Sequence, residues 1–442
     1  MPLNFKQVQA VNGALDAYEA GQPGYSILGE GGTGKTYSIM EIAKILLDGD
    51  LKMLFVAPTN KAVKQLEKAA RKYGLPMDQL AFCTLHSAMG LSLLPTAERK
   101  SAVSVRDSIL GDFDVLGCDE GSMMGEILTF NYFLPELQKH KLFCVMMGDR
   151  MQLPPVREQE SPALTLFPYT ELTQNERTKP NPDGSPNQIA EINKVLRKAI
   201  EERKPFEFKP ESGQNITIVK GADFLKAVLD FFTIDTDLED YRVLAWRNFR
   251  VDDINKAIRR KIYGPDAMRF EVGERLVTGA PIKKGDEIAL STDEECIVKA
   301  IRESLVTDEA TGDKWKTWLL TLEPIYAKCG QVFAHVLHED ETLRYKETRS
   351  RMADKAEEAK KNGNNAGWHW KRFHDFGDLF SDIRYCYCIT VHRSQGSTFK
   401  GGFVDAKDIL DNPQPRERKQ MFYVANSRFQ FHVTLNKSGF KI

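Results

Sequence analysis

Eight consecutive residues, Gly29-Glu30-Gly31-Gly32-Thr33-Gly34-Lys35-Thr36, have the types and spacing to hold a chain of phosphates. Their glycines let the backbone turn its N–H groups inward towards phosphate oxygens, and a helix opening there adds positive potential. Lys35 would reach the β- and γ-phosphates, and the Thr36 hydroxyl would ligate Mg2+. Gly29, Gly31, Gly32, Thr33, Gly34, Lys35 and Thr36 are therefore the expected ATP cradle. Such a cradle needs a carboxylate at the end of a neighbouring strand, and Asp119 and Glu120 close the apolar run Val115–Cys118. Asp119 is expected to hold Mg2+ through water, and Glu120 to polarise the attacking water. Gln152, in the polar loop after the run 142–147, could bond the γ-phosphate and report its loss; a plain surface turn fits it equally well. The charge that builds on a transferred phosphoryl group calls for a fixed cation. Arg177 and Arg428 are candidates, and chemistry alone selects neither.

These residues need a frame. The runs 25–28, Met53–Ala57, Val115–Cys118 and 142–147 are short, apolar and bounded by turn or acidic residues, as buried parallel strands are. Apolar spacing predicts helices over 37–47 and 61–72. Strand–helix alternation of this kind predicts an α/β sheet covered on both faces. Residues 180–186 form a Pro/Asn/Gly/Asp loop; 242–246 reads as a strand and 251–262 as a helix. Short strands with Gly and charged turns over 270–300 suit a small β-barrel better than a βαβ unit. The charged stretch 343–361 lacks an apolar stripe and is expected as an exposed helix or projecting arm. Alternation resumes at 383–389, 402–406 and 429–435, which predicts a return to a sheet begun before residue 270.

Length and composition set the class. A chain of 442 residues exceeds one ordinary core, so two to four domains are expected. With 61 basic and 62 acidic side chains, charge neither supports nor excludes nucleic acid, because tracking one strand needs only a lined channel. No apolar run approaches the roughly 18 residues of a membrane span. The opening residues lack the apolar stretch of a secretory signal, so the cytoplasm is the expected location. Seven scattered cysteines do not suggest a disulfide framework, and Cys386 and Cys388 read as core residues of one strand face.

In their order these motifs resemble the superfamily 1 helicases, most closely the 5′-to-3′ branch of RecD- and Dda-type enzymes. Leu3-Asn4-Phe5-Lys6-Gln7 is similar to the Q motif, and Ala57-Pro58-Thr59-Asn60-Lys61-Ala62-Val63 to motif Ia. Thr84-Leu85-His86-Ser87 resembles motif Ib, Asp119-Glu120-Gly121-Ser122-Met123 motif II, and 148–155 motif III. Leu172-Thr173-Gln174-Asn175-Glu176-Arg177 resembles motif IV, and Tyr423-Val424-Ala425-Asn426-Ser427-Arg428 motif VI. The most specific match is Thr390-Val391-His392-Arg393-Ser394-Gln395-Gly396-Ser397-Thr398, which resembles motif V. Two departures stand out. Asn426 and Ser427 replace an apolar residue and a threonine, and Glu176 replaces the aromatic that stacks on adenine in many relatives, so loose base specificity is expected.

The resemblance implies an α/β fold of two RecA-like P-loop domains with parallel sheets and ATP between them. Domain 1 would span 1–160 with a duplex-separating hairpin near 90–107. Domain 2 would span 161–270 and 381–442, interrupted at 271–380 by a small SH3-like β-barrel with a projecting arm. Gln7 would read the adenine edge. Lys35, Thr36, Asp119, Glu120 and Gln152 would act from domain 1, and Arg177 and Arg428 from domain 2. Pro58, Thr59, Asn60, Thr84 and His86 would grip a single strand on one side, and Thr390, His392 and Ser394 on the other, ratcheting it as the cleft opens and closes. The implied protein is a phage-type, monomeric, ATP- and Mg2+-dependent DNA helicase of replication or recombination, moving 5′ to 3′ on single-stranded and forked DNA. A single-strand-binding protein is an implied partner.

Other readings fit less of the chain. A translocase that opens no DNA duplex, or one directed to RNA, shares every motif. A small-molecule P-loop kinase leaves 390–398 unexplained, and a non-enzymatic binding module leaves Lys35, Asp119 and Glu120 unexplained. Cys329, His335 and His338 match no common zinc spacing. Trp315, Trp318, Trp368 and Trp370 could stack on bases, but are read as filling the core of the barrel region.

Overall fold

A computed structural model describes residues 2–95, 100–104, 107–155, 158, 160–176, 180–208, 211–284, 287–327, 329–362, 364–437 and 440–441. The chain divides into two compact units, one of Met1–Gly90, Asp107–Pro265 and Tyr387–Ile442, the other of Leu91–Arg106 and Asp266–Cys386. Among the described residues no helix is long and apolar enough to cross a membrane.

The first unit holds two all-parallel sheets. Strands β1 (Gly24–Gly29), β2 (Met53–Ala57), β3 (Leu80–Thr84), β4 (Val115–Cys118), β5 (Phe143–Gly148) and β6 (Tyr169–Leu172) form one sheet, in the order β3-β2-β4-β5-β1-β6. Helices cover its faces, among them α1 (Phe5–Glu19), α2 (Lys35–Leu46) and α3 (Asn60–Tyr73). Every residue of β1, β2, β4 and β5 is buried, which is why these strands read as unbroken apolar runs rather than alternations. Ile39 and Ile42 of α2 and Ala10 and Ala14 of α1 meet Ile27, Phe55, Val145 and Met147 in one core. Helix α3 starts on a Thr59 cap and stops at Gly74, whose φ of +78° suits a helix end.

The second sheet has β7 (Ile216–Ile218), β8 (Tyr241–Ala245), β9 (Cys388–Thr390), β10 (Phe399–Val404) and β11 (Phe429–Leu435), in the order β7-β11-β10-β8-β9. Its core includes Ile189, Leu196 and Ile200 of α5 (Gln188–Glu201) and Phe422 and Val424 of α7 (Pro415–Ser427). The short helix α4 (Leu85–Ala88) comes earlier in the chain, and between α5 and α7 in sequence runs α6 (Asn248–Tyr263), which matches the helix expected near 251–262. All nine residues from Lys419 to Ser427 are buried, so α7 is sheathed by protein on all sides.

Two expectations change here. The strand ending in Asp119 is not the neighbour of the P-loop strand, because β5 lies between β4 and β1. Residues 169–172, assigned from sequence to the second domain, pair with β1 from Ser26↔Tyr169 to Gly29↔Leu172 and form an edge of the first sheet. Tyr25 and Thr170 share a buried hydroxyl–hydroxyl bond of 2.7 Å that fixes this pairing. The first half of the fold therefore continues past residue 160 to at least Glu176, which hydrogen-bonds the P-loop.

The second unit is built on an antiparallel sheet of five strands, Val332–Leu337, Lys314–Pro324, Glu295–Thr307, Arg275–Thr278 and Ile383–Tyr385 in that order. A separate hairpin, Ile282–Lys284 with Glu287–Leu290, adds Ile282 and Leu290 to the core of Phe270, Val298, Leu320 and Val336. Leu91–Pro95 and Lys100–Ser104 pair antiparallel with each other. The charged stretch forms the helix Thr342–Lys361, packed on a second helix, Ala366–Asp378. The tryptophans divide. Trp315 is buried, but against Tyr345, Phe376 and Phe380 at the helices. Trp318, half-buried, packs against the barrel core as expected, stacking on His338 and donating to Glu339, whereas Trp368 is 62% exposed.

Candidate nucleotide and nucleic-acid site

The P-loop follows β1 and opens α2, and its backbone allows few substitutes. Gly29 has φ +152° and lies so close to Leu172 that a Cβ would meet its carbonyl oxygen at 2.6 Å; Gly34, at φ +87°, would meet Gln7 Nε2 at 2.2 Å. Lys35 Nζ donates to the carbonyls of Gly29 (2.7 Å) and Glu30 (2.9 Å), closing the loop on itself. The segment 172–176 lies against this loop. Asn175 Nδ2 donates to Glu30 Oε1 (2.6 Å), and the Glu176 N–H to the Gly32 carbonyl (2.8 Å). Burial raises the Glu30 pKa, opposed by the Asn175 hydrogen bond and by Arg197. Arg177 lies outside the described residues.

Gln7 is held through both ends of its amide. Its Nε2 donates to the Thr33 carbonyl (3.1 Å), and its Oε1 accepts from the Asn4 N–H (2.9 Å). Asn4 in turn caps α1 and donates to Glu176 Oε1 (3.0 Å). These two bonds brace the loop. Glu176, in place of a stacking aromatic, completes the same brace.

Asp119 and Glu120 leave β4 at the end where the P-loop leaves β1. Glu120 has φ +54°, a left-handed conformation costing a non-glycine residue about 1–3 kcal/mol, and its N–H donates to Asp119 Oδ1 (2.8 Å). Its carboxylate lies beside Gly396, where a Cβ would stand 3.8 Å from Glu120 Oε1. Thr36, on the first turn of α2, and Asp119 are oxygen donors of the kind Mg2+ takes. Arg428 is buried and donates to the carbonyls of Val424 (3.2 Å) and Ser397 (3.3 Å) and to Ser427 Oγ (3.1 Å). Burial lowers its pKa, and the nearby charge of Glu120 opposes that shift.

The loop after β5 is gripped by residues of the second sheet's helices and turns. Asp149, fully buried, accepts from Arg197 Nη1 and the Tyr423 hydroxyl, each at 2.6 Å. Gln420 Nε2 donates to the Gln152 carbonyl (3.0 Å), and Gln395 Nε2 to the Leu153 carbonyl (3.2 Å). The Gln152 side chain is buried with its Oε1 unpartnered. Asp149, Arg197, Tyr423, Gln395 and Gln420 were not singled out from sequence as site residues. The one local signal was Asp149 itself, an acid directly after an apolar strand.

Of the expected nucleic-acid contacts, Pro58, Thr59 and Asn60 follow β2, whereas Thr84 is the last residue of its neighbour β3, paired with Ala57, and His86 lies just beyond it. Thr390 ends β9 at the edge of the second sheet, and His392 lies just beyond it. All lie at the carboxyl ends of parallel strands, where open α/β sheets bind ligands. Thr59, Thr84 and Thr390 each accept a backbone N–H at 3.3 Å, shaping their own turns. Ser394 is a correction: it is wholly buried, and its hydroxyl donates to the Val391 carbonyl (2.7 Å), so it cannot touch a strand.

Burial lowers the pKa of His86, His392 and His432. Their neutral forms are favoured in the fold, whereas the unfolded chain takes up protons near pH 6.5. The unfolded state therefore binds more protons below that pH, and stability should fall as pH drops from 6.5 to 5.5 and stay level above 7. Urea-unfolding midpoints across pH 5.5–8 test this, and His432→Gln should flatten the slope. A midpoint that rises on acidification contradicts it.

Comparison with known proteins places these elements. The AAA domain family profile matches residues 9–158, the stretch that carries the P-loop, Asp119, Glu120 and Gln152. The ATP-dependent DNA helicase dda of Enterobacteria phage T4 is 26% identical over 452 residues, covering 97% of each chain. The uncharacterized protein R530 of Acanthamoeba polyphaga mimivirus is 23% identical over 465 residues, covering 91% of this chain and 93% of that one. Among solved structures, one of two coordinating Pif1 helicases at forked dsDNA gives a TM-score of 0.52 at 15% identity. Pif1 helicase from Bacteroides in complex with ADP-AlF3 and ssDNA gives 0.51 at 16% identity. Each covers 99% of this chain and 93% of the other. At these identities the structural likeness is one of fold.

Proposed function

We propose that this chain, a homologue of the Dda helicase with the fold of the Pif1 helicases, is an ATP-hydrolysing DNA helicase that moves 5′ to 3′ on single-stranded DNA and opens duplex ahead of it. The observation that carries the reading is the meeting of two halves at one site. Gly396, ahead of β10 of the second sheet, stands beside Glu120, whose charge is felt by Arg428, while Gln395, Gln420, Arg197 and Tyr423 hold the loop that bears Gln152. A kinase has no need of such a second half.

In this reading, the glycine-rich loop and α2 hold the phosphates, and Lys35 turns from the Gly29 and Glu30 carbonyls to the β- and γ-phosphates. Mg2+, held by Thr36 and through water by Asp119, would neutralise charge on those phosphates. Glu120 takes a proton from the attacking water. The unpartnered Gln152 Oε1 can accept that water's other proton, a bond an unprotonated γ-phosphate cannot offer. Arg428 and Arg177 stabilise the transferred phosphoryl group. The ends of β2 and β3 grip a single strand on one side and Thr390 and His392 on the other. The hairpin at 91–104 separates the duplex, and the second unit acts as the barrel and arm that support it.

Unwinding of duplexes with single-stranded tails tests the proposal. Opening of 5′-tailed but not 3′-tailed DNA is the expected result, and 3′-tailed opening alone would reverse the polarity. ATP turnover stimulated by RNA and not DNA would move the assignment to an RNA motor. Turnover indifferent to any polynucleotide would sink the motor reading.

A further inference from the structure

The guanidinium of Arg197 spans the root of the phosphate cradle. In the first sheet, β1 lies between β5 and β6. Asp149 follows β5 and Glu171 stands in β6, and Arg197 bonds both, Nη1 to Asp149 at 2.6 Å and Nη2 to Glu171. One cation thus ties together the two strands that flank the P-loop strand. It comes from α5, whose Ile189, Leu196 and Ile200 belong to the second core. Burial disfavours its charge, but Asp149, Tyr423 and Glu171 more than offset that and raise its pKa. It also attracts Glu30 of the cradle itself.

Little in the loop it holds is free. Asp149 Oδ1 also accepts the Met151 N–H (3.0 Å), and the Asp149 carbonyl accepts the Gln152 N–H (3.2 Å). Leu153 is buried in the second core. A buried carboxylate without its cation is costly, so the loop has a strong reason to follow Arg197 wherever α5 goes. Gln152, whose Oε1 has no partner, is carried by the same loop.

We infer that Arg197 is a positioning residue, through which the second sheet sets the P-loop root and the Gln152 side chain together for hydrolysis. This rests on the ATP-hydrolysis reading. Movement of α5 relative to the first sheet either drags the loop or breaks the Arg197 clamp, and in both cases Gln152 leaves the water it orients.

The test is a double-mutant cycle on the full chain, Arg197→Ala with Gln152→Ala, measuring kcat and KM for ATP with saturating single-stranded DNA. Arg197→Ala should lower kcat about 10- to 100-fold, the scale of a misplaced reacting group, with KM within about threefold. The double variant should be no slower than the slower single variant. Glu171→Gln, which leaves Asp149 paired, guards against loss of fold. It should give a smaller fall in kcat that is lost in the Arg197→Ala background, while Arg197→Lys recovers part of the rate. Effects that multiply in the cycle, or turnover per folded molecule within twofold of the parent, would overturn the inference. A parent chain without turnover in the same assay would instead overturn the reading on which it rests.

Discussion

Lys35→Ala should reduce ATP turnover about a thousandfold while the chain stays folded. The kinetic loss follows from removing the one cation carried by the phosphate cradle, where charge develops as the γ-phosphoryl group leaves. The fold should tolerate the change because the two carbonyls Lys35 holds, those of Gly29 and Glu30, form a part-buried site that water can enter. The thermal midpoint should therefore move by only a few degrees. Turnover with saturating single-stranded DNA, together with a melting curve, checks both halves. Lys35→Arg keeps the charge but alters its reach, and should recover little, since the short tether from α2 fixes where the cation sits. Retained turnover within tenfold would remove the cradle from the mechanism.

Arg428→Ala should cost as much in rate, and should also cost stability. An arginine that neutralises a transferring phosphoryl group is worth about 10³–10⁵ in kcat. Unlike Lys35, Arg428 is only 3% exposed and satisfies two carbonyls and a hydroxyl. Truncation removes the Arg428 donor from the Ser397 carbonyl, leaves the Val424 carbonyl with the Ser427 hydroxyl alone and opens a void, a loss of about 2–4 kcal/mol. Denaturant midpoints and kcat per folded molecule separate the two effects. A destabilised variant with normal turnover would make Arg428 a strut between β10 and α7 and nothing more. Arg428→Lys retains the charge but cannot reach all three acceptors, so it should recover part of the rate and little of the stability.

Local order was legible in the sequence because its causes are local. The P-loop is a run of eight residues whose glycines and helix start set its turn locally, although Gln7, Asn175 and Glu176 brace it from elsewhere in the chain. Strands β1, β2, β4 and β5 announced themselves as apolar runs because both faces of the sheet are covered. Helix α2 was expected from 37 and begins at Lys35, since a cradle opening directly into a helix overrides the weak start signal of Gly34. The charged helix at Thr342–Lys361 was expected as exposed, and its Ala356 and Ala359 form a small buried patch that its composition conceals.

What failed was long range. Ser394 belongs to the most specific motif of the chain, yet its hydroxyl is spent inside its own turn. Gln7, read as facing a base, also braces the Thr33 carbonyl, 26 residues away in the chain. The strand at 169–172 sits beside β1, although nothing in its four residues states a partner. Trp315, Trp318, Trp368 and Trp370 look alike on paper, yet Trp315 is buried, Trp318 and Trp370 are half-buried and Trp368 is exposed.

The sequence by itself determined a glycine-rich loop at 29–36 that opens a helix and an acid pair at 119 and 120 that closes a strand, because turns and caps a few residues long are set by backbone geometry alone. Only the tertiary structure decided that β5 separates those two features and places the Gln152 loop between them. Only it brought Arg197 across β1 to Asp149 and Glu171, 48 and 26 residues away in the chain. Strand order and the pairing of buried charges depend on which faces pack and which ions must be neutralised once water is excluded. Those conditions exist only in the folded core.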